Sequence, residues 1–251
     1  MLVNPFIRPE KKFPDWFESE MDRMFPSFSG DKFISDEIIF SNKGILNKYK
    51  GKKILIVAGG PSTNNTDWNP DEYDFVWTMN YGFRNKKIID AGIDLISIGP
   101  EVSIDSAELI SFLQKNNPLV CFEMREMWRI PIFIYKLQNL SDTYSCFAYE
   151  TKFLGKTGVG ARLAILASFV KASEVHFIGM DGPEAQANSD HSFEPGKKNL
   201  PHGCSFDDMG YTMKVHQEHY DFLWKFLTTK FPDVIFKNIG HQNILHRLIN
   251  V

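Results

Sequence analysis

The segment from Lys53 to Ser62, which reads Lys-Ile-Leu-Ile-Val-Ala-Gly-Gly-Pro-Ser, most constrains the fold. Its aliphatic residues predict a strand that is buried on both faces, and the two glycines that follow predict a tight turn. Because glycine has no Cβ, such a turn lets the backbone approach a ligand closely, and its amides and the Ser62 hydroxyl are candidate donors to a phosphate or a ribose. This pattern predicts a Rossmann-like nucleotide-binding domain.

Further short apolar runs alternate with helical stretches along the rest of the chain, which is typical of parallel strands joined by crossover helices. We expect an α/β fold with an open, mostly parallel Rossmann-like sheet flanked by helices. Helices are predicted over 158–171 and 211–229, and the aromatic and basic stretch 124–140 is compatible with another. The predicted strands are Ile54–Ala58, Phe75–Met79, Leu95–Ile98, Leu119–Phe122, Glu174–Ile178 and Val234–Asn238.

Two segments differ in composition from this alternating pattern. Residues 1–50 scatter aromatic side chains among charges and prolines, and we interpret them as an aromatic-rich N-terminal helical arm, with helices near 14–25 and 36–49, packed on the main domain 51–251. Residues 182–209 are rich in Gly, Pro, Asn and Ser and show little periodicity, which predicts a mobile lid loop over the site.

The overall composition excludes several classes of protein. With 28 Lys and Arg against 31 Asp and Glu, the formal charge is -3, which does not favour a nucleic-acid partner. Three cysteines without a CxxC pair argue against a disulfide framework and a structural zinc site. No run of about 18 apolar residues occurs, so neither a signal peptide nor a membrane span is expected. We expect a cytoplasmic protein; a homo-oligomer is compatible with the sequence.

Polar residues at strand ends and at one helix start are the candidate ligand contacts. Asn80 ends a strand at the carboxyl edge of the sheet, where open α/β folds bind ligands. Asp181 ends another strand and is a candidate to hold a ribose hydroxyl, to coordinate a metal or to fix a turn. Thr157 and Gly158 precede a helix N-terminus, which favours an anion. The whole set of binding candidates is Gly59, Gly60, Pro61, Ser62, Asn80, Thr157, Gly158 and Asp181.

Histidines are the candidate general bases. His191 and His202 lie on the predicted lid loop, where an accessible imidazole can take a proton from a hydroxyl. His216 and His219 are spaced i, i+3 on one predicted helix face, a spacing that metals use, but no carboxylate or cysteine motif completes a ligand set. The sequence therefore predicts no metal site.

Taken in chain order, the Gly-Gly-Pro-Ser turn, the strand ending in Asn80, the Lys-Thr-Gly-Val turn and the Gly-Met-Asp strand end resemble the bacterial sialyltransferases of glycosyltransferase family 42. The resemblance spans roughly residues 52–250. It implies a CMP-linked nucleotide sugar as donor, a carbohydrate acceptor, no required cofactor, a lid loop and direct displacement assisted by a histidine base. It also implies that Gly60, Ser62, Asn80, Thr157, Gly158 and Asp181 surround the nucleotide.

The chain departs from this family at four positions. Gly59 stands where the family's turn has an asparagine, and Gly99-Pro100-Glu101 stands where its third strand ends in Asn-Pro-Gly. Gly182-Pro183 replaces an aromatic pair that includes a phosphate-binding tyrosine. Tyr211 falls at the place of the catalytic histidine, and a phenol is a weaker base than an imidazole at neutral pH. The general base is therefore open among His191, His202 and Tyr211.

The same motifs are also similar to the MptE-like (DUF115) group, which includes archaeal pterin pyrophosphokinases. That resemblance implies a Mg²⁺-dependent pyrophosphokinase in which Asp181 helps to hold the metal with a nucleoside triphosphate. The four departures favour a third hypothesis, a nucleotide-binding module without catalytic groups. Stabilisation by CMP, or by ATP with Mg²⁺, is expected to separate these possibilities.

Overall fold

The computed structural model describes residues 33–34, 39–40, 44–123, 140–151, 153, 156–198, 200, 204–241 and 243–249. Within these ranges the strands are β1 (Phe33–Ile34), β2 (Ile39–Phe40), β3 (Lys53–Val57), β4 (Phe75–Met79), β5 (Leu95–Ile98), β6 (Leu119–Glu123), β7 (Cys146–Glu150), β8 (Glu174–Ile178) and β9 (Ile235–Asn238). They form one sheet in the order β1-β2-β7-β6-β5-β4-β3-β8-β9.

The seven strands β3 to β9 are parallel, so the expected mostly parallel sheet is confirmed. All six predicted strands are present to within a residue at each end. The sequence missed β7, which reads Cys-Phe-Ala-Tyr-Glu and contains no β-branched residue. It also missed β1 and β2, which pair antiparallel with each other and attach to the edge at β7. Two residues each are too few to show a periodic pattern.

The central strands are buried along almost their whole length, as expected for a parallel sheet covered on both faces. All four residues of β5 are buried, and β3 and β4 are each exposed only in part at their first residue. Aromatic side chains fill both sides of the sheet, and Trp77, Phe122 and Phe177 are among the largest fully buried ones. The core therefore rests on apolar runs that the sequence already displays.

The helices of the described residues are α1 (Ser62–Asn65), α2 (Lys86–Ala91), α3 (Ala107–Asn116), α4 (Val159–Phe169), α5 (Gly182–Asn188) and α6 (Met209–Lys230). The predicted helices over 158–171 and 211–229 are confirmed as α4 and α6. Shorter 3-10 helices occupy Gly44–Tyr49, Pro70–Glu72, Asn80–Arg84 and Ile244–His246. In this part of the chain no helix is both long and apolar enough to cross a membrane.

Two expectations about local structure differ from the structure. The helix expected near 36–49 is instead the strand β2 followed by a 3-10 helix over Gly44–Tyr49. The expected lid loop 182–209 begins with α5, because Pro183 in the first turn favours a helix start. The helix expected near 14–25 lies outside the described residues, and so does nearly all of the stretch 124–140. The division into an N-terminal arm and a main domain stays a prediction.

The direction of strand addition reverses beside β3. From β3 the chain adds β4, β5, β6 and β7 on one side, whereas β8 pairs with the other side of β3 and is followed by β9. The connections that leave β3 and β8 therefore run to opposite sides. Such a reversal opens a crevice at the carboxyl ends of the two strands, where ligands bind in open α/β sheets.

Candidate functional site

The candidate site lies at this switch point, where the turn after β3 meets the turn after β8. The Gly60 amide donates to the Gly179 carbonyl over 2.8 Å. Gly179 has a φ of +75°, and a Cβ on it would overlap the Ala58 carbonyl oxygen. Only glycine combines this left-handed conformation with so close an approach. The two strand ends are thus joined backbone to backbone.

Ser62 and Asp181 form a closed pair beneath this junction. The Ser62 amide donates to Asp181 Oδ2 over 2.7 Å, and the Ser62 hydroxyl donates to Oδ1 over 2.6 Å. The same hydroxyl accepts from the Gly179 amide over 2.9 Å. Both side chains are buried. Since Ser62 contacts both carboxylate oxygens, the pair fixes the relative position of the two strand ends.

His191 lies directly over Gly59, the first glycine of the turn. A Cβ on Gly59 would overlap Cε1 and Nε2 of the imidazole, so the ring occupies the space that any other side chain at this position would need. Ser192 holds the same segment in place, because its amide donates to the Gly59 carbonyl over 2.8 Å and its hydroxyl donates to the Gly60 carbonyl over 2.6 Å. Phe193 is buried next to them.

The contacts of His191 determine which ring nitrogen carries the proton. Burial lowers the pKa of this imidazole, so the ring is neutral at physiological pH. Its Nδ1 accepts a hydrogen bond from the Phe193 amide over 3.3 Å. A neutral imidazole has one protonated nitrogen, and Nδ1 needs its lone pair for this bond. Nε2 is therefore the N–H donor, and it faces Gly59.

Asn80 lies at the carboxyl end of β4, on the same edge of the sheet. It has a φ of +46°, a conformation that asparagine tolerates better than most residues. Its side-chain oxygen accepts from the Gly99 amide over 2.9 Å, and its amide nitrogen donates to the Glu101 carboxylate. The Glu101 that departs from the sialyltransferase pattern therefore contacts the predicted ligand-binding asparagine.

Thr157 and Gly158 form the entry to α4. Gly158 caps the helix with a φ of +80°, and apart from its chain neighbours no described residue lies within 4 Å of the place where its Cβ would be. Thr157 is only 7% exposed, and its Oγ1 has no hydrogen-bond partner among the residues that the structure describes. The first turn of α4 reaches the switch point, because a Cβ on Gly160 would lie 2.9 Å from Met180 Sδ and 3.6 Å from Ala58 Cβ. This entry therefore adjoins the crevice.

The inner face of α6 packs against that entry. Tyr220 donates its hydroxyl to the Thr157 carbonyl over 3.2 Å, and the Lys156 amide donates to His219 Nδ1 over 2.7 Å. His216 is buried, and neither of its ring nitrogens has a hydrogen-bond partner within the described ranges. Burial, assisted by the charges of His219 and Lys156, lowers its pKa to about 4. The i, i+3 histidine pair thus faces the start of α4.

No protein-family model and no curated protein matches the chain. A solved structure that does match is the sialyltransferase CstII from Campylobacter jejuni in complex with the substrate analogue cytidine-5'-monophosphate. It aligns with a TM-score of 0.50 and 14% identity over 80% of this chain and 85% of that one. The chain shares the fold of this sialyltransferase. A crystal structure of CST-II with a trisaccharide acceptor and CMP aligns with a TM-score of 0.49 and 14% identity, over 79% and 86% of the two chains.

The structure brings together most of the binding residues that the sequence singled out. Gly59, Gly60, Pro61, Ser62 and Asp181 meet at the switch point, Thr157 and Gly158 adjoin it through α4, and Asn80 lies at the end of the neighbouring strand. What they bind stays a prediction. In the described part of the chain, no three or more His, Cys, Asp or Glu side chains are grouped as they would need to be to bind a metal.

The structure places the three candidate bases differently. His191 lies over Gly59. Tyr211 is in the first turn of α6, with its side chain 50% exposed and its amide bonded to the Asp208 carboxylate. His202 lies outside the described residues. The sequence analysis missed Ser192, because its two hydrogen bonds to the glycine turn have no local sequence signature. The absence of a side chain at Gly59 was the one sequence feature that indicated a close contact with another segment.

Proposed function

We propose that this protein is a glycosyltransferase that binds a CMP-linked nucleotide sugar and transfers the sugar to a carbohydrate acceptor. One observation carries the proposal. The crevice at the β3–β8 switch point belongs to a fold that aligns, at a TM-score of 0.50, with a sialyltransferase crystallised with cytidine-5'-monophosphate. Switch-point crevices are where open α/β sheets bind nucleotides.

The start of α4 supports binding of the donor phosphate. Its first amides have no partner within the helix, and the helix dipole places partial positive charge at this end. Thr157 Oγ1 is buried without a partner in the described part of the chain, a costly state that a bound ligand would relieve. Among the described residues, only the chain neighbours of Gly158 approach its Cβ position, which is compatible with a bound anion there. The helix end thus offers hydrogen-bond donors to a ligand, whereas most donors of the Gly59–Ser62 turn already bind other parts of the protein.

The transfer is a direct displacement in this proposal. The acceptor hydroxyl oxygen forms a bond to the anomeric carbon of the sugar while the bond from that carbon to the phosphate oxygen breaks. The electron pair of the broken bond leaves with CMP, and the acceptor proton passes to a general base. Donors around the phosphate stabilise the negative charge that develops on the leaving group. The base is one of His191, His202 and Tyr211.

A ligand panel tests the donor class. We expect CMP and CDP to raise the melting temperature, whereas ATP with Mg²⁺ and pterin leave it unchanged, since a ligand that binds only the folded state stabilises it. At a hundredfold excess over the dissociation constant the gain is about 2.7 kcal/mol. If CMP leaves the melting temperature unchanged while ATP with Mg²⁺ raises it, the result would support the pyrophosphokinase instead. A CMP response without any sugar transfer would identify a non-catalytic binding module.

Three single variants test the general base. His191→Ala, His202→Ala and Tyr211→Phe are assayed for transfer from a CMP-linked donor at saturating donor concentration. Loss of the base lowers kcat by a factor of about 10² to 10⁴ while CMP affinity is retained. Lys115→Ala, on α3, is the control and should leave kcat unchanged. If all three variants keep the kcat of the unsubstituted protein, the base lies elsewhere.

A further inference from the structure

The turn after β3 has few hydrogen-bond donors left for a ligand. The Gly60 amide donates to Gly179, the Ser62 amide and hydroxyl donate to Asp181, and Pro61 has no amide hydrogen. The Gly59 amide makes no hydrogen bond with a described residue. Of the backbone donors in this turn up to Ser62, the structure leaves Gly59 available.

A second donor lies beside that amide. His191 presents the edge that contains Nε2 to the Cβ position of Gly59. Nε2 is the protonated nitrogen, because Nδ1 accepts from the Phe193 amide, and it has no hydrogen-bond partner among the described residues. Two N–H groups without a partner among the described residues therefore adjoin the same glycine beside the β3–β8 switch point.

The position of His191 is held by the rest of its segment. Ser192 makes two hydrogen bonds to the glycine turn, and Asn85, which follows β4, donates its side-chain amide to the Ser192 carbonyl over 3.0 Å. Phe193 is 2% exposed and serves as an apolar anchor. A ring held in this way loses little freedom when a ligand binds, which favours a binding role over an incidental contact.

We propose that His191 is a substrate-binding residue whose Nε2–H, together with the Gly59 amide, donates to the phosphate of the donor nucleotide. This inference rests on the proposed function and deepens it. Gly59 has no side chain to bind a ligand, and the imidazole of His191 supplies an N–H donor at this place from another segment. Hydrogen bonds to an anionic oxygen are stronger than neutral ones, so two such donors suffice to position a phosphate. The role of general base then falls to His202 or Tyr211.

A matched pair of variants tests the contact. His191→Gln keeps a side-chain N–H donor in a similar volume, whereas His191→Leu fills the space without a donor. Affinities for CMP, inorganic phosphate and cytidine are measured by calorimetry. We expect Leu to weaken CMP and phosphate at least tenfold and Gln to weaken them less than about threefold, with cytidine unchanged in both, since one hydrogen bond to a charged group is at stake.

The outcomes separate this inference from the proposed function. Equal CMP affinity in the Leu variant and the unsubstituted protein overturns the His191 contact and leaves the transferase proposal standing. Phosphate binding that depends on His191, with no gain from the cytidine moiety, supports the contact and overturns the CMP-linked donor. Absence of phosphate binding by the unsubstituted protein overturns the contact.

The ring placement has a test of its own that needs no ligand. Gly59→Ala should lower stability because the new methyl group overlaps the ring, and His191→Ala should remove that penalty in the double variant. Strictly additive effects of the two substitutions on the melting temperature would show that the ring does not lie over Gly59, and would overturn the inference.

Discussion

At the residue scale, the molecule depends on polar groups that satisfy one another across long sequence separations. Ser62 and Asp181 are 119 residues apart, yet both carboxylate oxygens of Asp181 accept from Ser62. A buried carboxylate with such partners costs little, whereas the same groups without partners cost several kcal/mol. Of the three roles considered for Asp181, fixing the turn is the one that these contacts describe.

Replacing Asp181 should therefore destabilise the fold. Asp181→Ala leaves the Ser62 amide and hydroxyl without acceptors in a buried place, and we expect the free energy of unfolding to fall by about 3 kcal/mol, measured by urea denaturation. The exposed Asp71, whose carboxylate has no hydrogen bond to a described residue, is the control, and Asp71→Ala should change stability by less than about 0.5 kcal/mol. Equal stability of the two variants would contradict the structural role of the pair.

At the element scale, the C-terminal 3-10 helix fastens α6 to the end of β8. His246 is fully buried; its Nδ1 accepts from the Trp224 indole over 3.1 Å, and its Nε2 donates to the Met180 carbonyl over 2.8 Å. Trp224 in turn stacks on Phe177 of β8, with ring centroids 5.2 Å apart. A single imidazole thus connects a helix to the strand end that carries Asp181.

Removing this imidazole should loosen the connection between the two elements. His246→Leu retains apolar volume but leaves the Trp224 N–H and the Met180 carbonyl unpaired, so we expect a loss of about 2–4 kcal/mol in unfolding free energy. The exposed His241 offers a matched control, and His241→Leu should be nearly neutral. A His246 variant as stable as the His241 variant would mean that packing alone holds the C-terminal segment.

At the scale of the whole molecule, burial of histidines makes the fold sensitive to acid. Burial lowers the pKa of His176, His191, His216, His219 and His246, and for His216 and His246 it does so to about 4. The unfolded chain takes up these protons near pH 6.5, before the folded chain does. Stability therefore falls as the pH drops below about 6.5, and the contribution of His216 and His246 continues to fall until about pH 4.

We expect the free energy of unfolding to decrease by about 2 kcal/mol for each of these two histidines between pH 7 and pH 5. Urea denaturation at pH 7, 6 and 5 measures the slope. The His246→Leu variant should show a shallower slope than the unsubstituted protein, because one of the titrating groups is gone. A stability that does not change between pH 7 and pH 5 would contradict the burial of these imidazoles.

Local patterns predicted the elements that have strong local signals. The aliphatic run of β3, the glycines after it and the alanine-rich α4 are visible in the sequence because strand and helix periodicities are local properties. β7 was missed because Cys-Phe-Ala-Tyr-Glu carries no β-branched residue, and its place in the sheet is decided by pairing with β6. The start of the expected lid loop was helical because Pro183 outweighed the loop-like composition around it.

By itself, the sequence determined six strands of the parallel sheet and the edge at which we propose that a ligand binds, since parallel strands necessarily end on one side and the glycine turn marks that side. The tertiary structure decided which groups at that edge remain free. Ser62 and Asp181 form hydrogen bonds with each other, and the Asn80 side chain forms hydrogen bonds with Gly99 and Glu101. His191, in contrast, lies over Gly59. These pairings join residues far apart in the chain, and no local pattern encodes a hydrogen bond formed only when strands and turns meet in space.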